Sequence, residues 1–176
     1  MGRFPVPATA TVGQQQTFAI CSSCYAMGNF SMSKTNSSMH IRPYQERDEA
    51  SVIALWQECE LTRPWNNPKQ DINRKLTTQP ELFLVGMEED KLVATAMIGF
   101  DGNRGWVHYL GVLPTHQGLA YGRAMMDEAE RLLIARGCPK INLQVRSTNA
   151  AVIAFYQKLG YQIDEVISMG KRLIPD

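Results

Sequence analysis

Residues 110–123 read LGVLPTHQGLAYGR: a β-type run closed by Pro114, a loop carrying Gly118, Ala120 and Gly122, and the start of an amphipathic stretch. The first amides of a helix have no partner within it, and the aligned peptide dipoles add partial positive charge there, so such an end can cradle a diphosphate. Small residues at 118, 120 and 122 let a phosphate approach the backbone closely. The same residues also suit a plain tight turn, and spacing alone does not separate the two readings. Tyr156, next to Phe155 and five positions before Tyr161, reads on composition as a packed aromatic residue. A phenol keeps its proton at neutral pH, its ordinary pKa being about 10. His108 has an intrinsic pKa suited to accepting a proton. Strand alternation would put it on the face shared by Trp106, Leu110 and Val112, where a packed sheet histidine is the competing reading.

These groups need elements to position them. Strands are expected at 40–44, 82–87, 92–100 and 106–113, the last three forming consecutive antiparallel hairpins. Apolar spacing predicts helices at 48–61, 122–136 and 149–159, and a shorter one over 71–77 that Asp71 would cap. Pro64 and Pro68 keep 62–68 irregular. A strand at 141–145 and two closing strands at 161–167 and 169–174 complete a mixed α/β sheet flanked by helices.

The chain has 176 residues and a formal net charge of +1. That is one domain with room for a full core, and no long-range field that would draw in nucleic acid or a membrane surface. Residues 1–38 are rich in Thr, Gln, Ser, Gly and Pro without a period of 2 or 3.6, and read as a disordered or non-native tail preceding a domain at 39–176. The absence of a long apolar run points to a cytoplasmic protein. Cys21 and Cys24 form a lone C-x-x-C; without a second pair or spaced histidines it gives no metal site.

Gln117-x-x-Ala120-x-Gly122 resembles the Q/R-x-x-G-x-G/A motif with which the GNAT superfamily of N-acetyltransferases binds the coenzyme A pyrophosphate. Residues 143–161, LQVRSTNAAVIAFYQKLGY, resemble the superfamily's second signature and are especially similar to that of ribosomal-protein alanine N-acetyltransferases. From Met39 onward the chain also resembles small bacterial YpeA-type acetyltransferases, including Arg63-Pro-Trp65 and residues 135–140. The resemblance implies a splayed, mostly antiparallel sheet of about six to seven strands with about four helices. It implies acetyl transfer from acetyl-coenzyme A, without a metal, to a primary amine of a small molecule or peptide, by direct attack in a ternary complex. Homodimers are common among such domains.

By the same resemblance, Leu110, Gly111 and Val112 would bond the pantetheine arm and the acetyl carbonyl through their backbone. Gln117, Gly118, Leu119, Ala120, Tyr121, Gly122 and Arg123 would hold the phosphates. Asn149 would contact the coenzyme, cap its own helix, or do both. Tyr156 would lie against the coenzyme and protonate the departing thiolate. Two departures stand out. Ala120 and Leu119 replace a usual glycine and an often basic residue. Gln144 occupies the place of a glutamate base, and an amide cannot accept a proton. The base is then His108 or a water chain. Arg63, Trp65 and Asn66, on the irregular segment, are candidates for the acceptor pocket or merely for a prolyl turn. A non-catalytic acyl-coenzyme A-binding module is the alternative that the departures suggest.

Overall fold

A computed structural model of the chain describes residues 39–174. The expected tail at 1–38, with Cys21 and Cys24, lies outside the described residues. Five strands form one sheet in the order β1 (His40–Pro43), β2 (Phe83–Glu88), β3 (Lys91–Phe100), β4 (Gly105–Val112) and β5 (Ile141–Asn142). Neighbours are antiparallel from β1 to β4, whereas β4 and β5 run parallel. The helices are α1 (Glu49–Glu58), α2 (Pro68–Leu76), α3 (Tyr121–Ile134) and α4 (Ala150–Lys158).

Glycines report how the layers meet. A Cβ at Gly111 of β4 would lie 2.9 Å from both Leu55 of α1 and Leu61, so α1 covers that face. A Cβ at Gly105 would lie 2.7 Å from Leu133 of α3, which covers the opposite face. Trp56, Phe83, Ile72, Leu110, Met125 and Met126 are fully buried between these layers. Helix α2 starts earlier than its expected Asp71 cap: Asn67 caps it by accepting from Gln70 N at 3.2 Å, and Pro68 fills the first helical position, where its missing N–H costs no bond.

Among the described residues the sheet has five strands, not six to seven. β5 stops at Asn142 instead of Val145, and 161–174, expected as two closing strands, contain no regular element. A two-residue β5 offers too little backbone edge for another strand to pair with. The C-terminal segment is tied instead through side chains, Lys140 to Asp164 at 2.6 Å and Gln144 to Ser168 at 2.8 Å. Its apolar residues Ile163, Val166, Ile167, Met169, Leu173 and Ile174 are consequently exposed.

One buried ion pair fixes the entry to the domain. Arg42 of β1 donates to both carboxylate oxygens of Asp48 at 2.7 and 2.9 Å, and Gln45 N donates to the same carboxylate at 2.8 Å. The hydrogen bond from Arg42, assisted by Gln45 N and opposed by burial, holds the Asp48 carboxyl below the usual aspartate range. A group whose folded pKa is depressed stabilises the fold above its unfolded pKa and loses that contribution as pH falls through the folded value. Asp48→Asn should therefore lower unfolding free energy at pH 7 by about 2 kcal/mol. Urea titrations should show the gap narrowing as pH falls below about 4, where the carboxyl of the unfolded chain takes up its proton before the folded one does.

Candidate functional site

The centre of the site is an irregularity in β4. Thr95 pairs with Gly111 and Met97 with His108, so two residues of β4, Tyr109 and Leu110, oppose the single residue Ala96. This is a β-bulge, and Tyr109 sits in it with φ at +51°. A bulky residue there is strained and persists only where its surroundings over-determine it. Three contacts do so. The Tyr109 ring stacks on Trp56 of α1 with centroids 3.9 Å apart. Its hydroxyl donates to Asp71 of α2 at 2.7 Å. Its carbonyl accepts at 2.9 Å from the Thr95 hydroxyl, which itself accepts from Trp56 Nε1 at 3.0 Å.

The bulge changes which way residues face. Trp106 and His108 lie on the side of α1 and α2, their rings stacked at 6.4 Å, and Tyr109 and Gly111 lie on that side too. Leu110 and Val112 alternate to the α3 side, where Val112 approaches the Gly122 position. The expected common face of His108 with Leu110 and Val112 is thus corrected; only Trp106 shares it.

Ahead of the bulge, β4 and β5 part. Their pairing consists of Gly105↔Ile141 and Trp106↔Asn142. Among the described residues, the edge of β4 from 107 to 112 that faces β5 has no strand beside it. The chain then passes through a 3-10 turn, Pro114–His116, into the loop before α3. Gln117 does not point away from the sheet but donates its Nε2 to Val112 O at 3.1 Å, a carbonyl that also receives the Cys59 thiol at 3.3 Å. Gly118 has φ +81° and Ala120 φ +63°, so the loop needs the left-handed region twice, and residues 118–120 are exposed. Ala120 is the N-cap of α3 and supplies no side-chain cap. The first helical bond is made by Ala124 N to Ala120 O at 3.0 Å, leaving the amides of 121–123 at the open head of the helix. The Tyr121 side chain turns into the core, Leu119 is 55% exposed, and Arg123 reaches α4 at Lys158 O, 3.4 Å away.

Helix α4 packs its aromatic pair against this loop. A Cβ at Gly122 would lie 3.2 Å from the Phe155 ring, so glycine there sets how closely the two helices approach. Tyr156 is wedged edge-on between Phe155 and Tyr161, with centroids 5.1 and 5.7 Å away. Its hydroxyl is buried and has no hydrogen-bond partner among the described residues. Burial alone pushes its pKa well above the ordinary phenol value. The side chain lines a cavity of about 1230 Å³ shared with Trp106, Asn142, Gln144 and Arg146. Asn149 caps α4, its side chain accepting from Val152 N at 3.3 Å.

Burial, helped by the charge of Lys75, lowers the pKa of His108 below its ordinary value. Lys75 is itself pushed down to about 8, chiefly by burial, and donates to Ile98 O at 2.6 Å. The expected acceptor loop is self-contained: Arg63 N donates to Asn66 Oδ1 at 3.0 Å and Asn66 N to Arg63 O at 2.9 Å. Trp65 is half-exposed, and none of the three lines the cavity that Tyr156 lines. Gln144 does line it, with Nε2 donated to Ser168. Trp56, Thr95, Tyr109 and Asn142 were not foreseen. Only the run of three strands hinted that β4 was central, and a bulge leaves no mark in composition.

Comparison with known proteins agrees with this geometry. Residues 46–161 match the profile of the Acetyltransferase (GNAT) family. An acetyltransferase of Yersinia pestis (strain Pestoides F) is 49% identical over 138 residues, 78% of this chain and 98% of the relative. One from Sodalis glossinidius is 50% identical over 139 residues, with the same coverage. Among solved structures, the ribosomal-protein-S18-alanine N-acetyltransferase from Escherichia coli is 25% identical, with a TM-score of 0.60 over 70% of this chain and 77% of its own. The PaiA N-acetyltransferase from Thermoplasma acidophilum, solved in complex with coenzyme A, has the same fold at a TM-score of 0.66 and 19% identity, over 74% of this chain and 93% of its own.

Thr95→Val keeps the side-chain shape but leaves both Trp56 Nε1 and Tyr109 O without their buried partner. Chemical denaturation should show a loss of about 3 kcal/mol, largely restored in Thr95→Ser.

Proposed function

The chain belongs to the acetyltransferase (GNAT) family and is an acyltransferase; on that premise we propose that it moves acetyl from acetyl-coenzyme A to the nitrogen of a primary amine, by direct attack in a ternary complex. One observation carries the reading: the Tyr156 hydroxyl is buried and unpartnered among the described residues, on a side chain that lines a large cavity. An orphaned buried hydroxyl is unfavourable unless a partner arrives during function. The uncapped head of α3 fits a diphosphate in the same way, since its amides and dipole are available to an anion. The acetyltransferase from Thermoplasma acidophilum solved with coenzyme A supports this assignment of the co-substrate.

The residues then divide the work. Gly118, Leu119, Ala120 and the backbone of Tyr121, Gly122 and Arg123 hold the phosphates, Gln117 anchors the loop to Val112 O, and Asn149 shapes the start of α4 beside them. The backbone of Leu110 to Val112, through the groups of Leu110 and Val112 that face β5 on either side of Gly111, binds the pantetheine arm and offers a donor to the carbonyl oxygen that gains charge. Tyr156 donates its proton toward the sulfur as the C–S bond breaks; its raised pKa keeps it protonated across the physiological range. A proton must leave the acceptor's ammonium before its lone pair can attack. His108, kept neutral by burial and Lys75, takes that proton. Its depressed pKa puts the acid limb of a kcat profile below pH 6.5, because the neutral imidazole is the active form and accumulates as pH rises.

Tyr156→Phe should reduce kcat about 10²-fold or more while leaving acetyl-coenzyme A affinity within twofold; an unchanged kcat removes the acid role. Gly122→Glu should abolish coenzyme binding in calorimetry, because the side chain meets Phe155 and brings a carboxylate to the phosphate site. Persistent binding by that variant would place the phosphates elsewhere.

A further inference from the structure

Resting on that reading, we propose that Asn142 and Trp106 form the subsite that receives the acceptor's amino group, and that the acceptor is a monocationic primary amine on an apolar body. Asn142 Oδ1 is buried and has no hydrogen-bond partner among the described residues. It is an acceptor atom waiting for a donor, and an ammonium or amine nitrogen carries donors. Asn142 is paired in register with Trp106 across the last rung of the β4/β5 ladder, and both line the cavity that the Tyr156 side chain also lines. Two residues that each carry an unpartnered buried polar atom therefore share the wall of one cavity, an acceptor for the nitrogen and a donor for the departing sulfur.

Trp106 supplies the second half of the recognition. Its Nε1 donates to Asp101 at 3.2 Å, which fixes the ring, and its face lies parallel to His108 within 10°. An indole face attracts a cation. A cation drawn to Trp106 is thereby brought beside the imidazole assigned above as base.

The rest of the cavity selects the body of the acceptor. Ile163, Val166 and Ile167 line it and are otherwise 73%, 77% and 90% exposed, so an apolar group would gain by covering them. Asp164 is the one acidic residue among the described lining residues, and Lys140 already pairs with it at 2.6 Å. Lys140 and Arg146, both lining residues, repel further positive charge. A polyamine or a polycationic sugar has no counter-charge here; an alkylamine or arylalkylamine needs none beyond Trp106 and Asn142.

The test titrates phenethylamine into the full chain with no coenzyme present and follows the side-chain amide of Asn142 by NMR. The resonance is identified by its loss in Asn142→Leu. A saturable shift is expected with phenethylamine, and none at equal concentration with spermidine or with an alanine-initiated tripeptide. In turnover, Asn142→Leu should raise KM for phenethylamine at least tenfold with kcat within threefold, whereas Asn142→Asp should lower KM at least threefold. A merely structural role would not move the two variants in opposite directions. The proposal is overturned by no shift with phenethylamine, by a shift only with spermidine or the peptide, or by a KM unchanged in both variants. Failure of the acetyl-transfer reading has a different signature: no calorimetric binding of acetyl-coenzyme A while the amine still shifts Asn142.

Discussion

A single threonine hydroxyl holds the centre of this protein in an otherwise unfavourable shape. Thr95 Oγ1 accepts from Trp56 and donates to the carbonyl of Tyr109, so that helix α1, strand β3 and the bulge of β4 meet at one atom. The left-handed backbone of Tyr109 turns the strand so that Leu110 and Val112 face α3 while His108 stays with α1 and α2. A straight β4 would put the imidazole and the backbone of the cleft in a different relation. The cost of a bulky residue at positive φ, of order 1–3 kcal/mol, is offset by the ring stack on Trp56 and the bond to Asp71.

Much of this was legible in the sequence, for reasons that differ by region. Strands β2 to β4 announced themselves because apolar residues alternate or run continuously between turn-forming stretches such as Asp101-Gly102-Asn103. The α3 loop was legible because the left-handed region demands particular residues, and Gly118 is one. Ala120, which seemed merely a small replacement for glycine, occupies a left-handed position, which explains in backbone terms why glycine is usual there. Tyr156 was found through the resemblance of 143–161, since nothing in its spacing distinguishes a packed tyrosine from a proton donor.

What was not legible depends on contacts between distant segments. The alternation rule fails at Tyr109 because the inserted residue is a property of the pairing with Ala96, not of either strand alone. The segment 161–174 has the composition of strands, yet a strand needs a backbone edge, and β5 provides one only two residues long. Arg63, Trp65 and Asn66 looked like specificity determinants because loops commonly carry them. Here Asn66 closes the turn on Arg63 and the cavity lies toward β5. Asn142 carried no sequence signal at all; it stands out only because its Oδ1 is buried unpaired.

The close approach of Phe155 to Gly122 ties two positions thirty-odd residues apart into one unit of change. A methyl at 122 would crowd the ring, at 3.2 Å from its edge. Among descendants of this sequence, the pair is coupled: a lineage that acquires alanine at 122 must shift the aromatic at 155 by a few tenths of an ångström or thin it. Since Phe155 also braces Tyr156, such a lineage inherits a tyrosine with a looser seat. Selection on the seat of Tyr156 thereby reaches back to a glycine in a different helix.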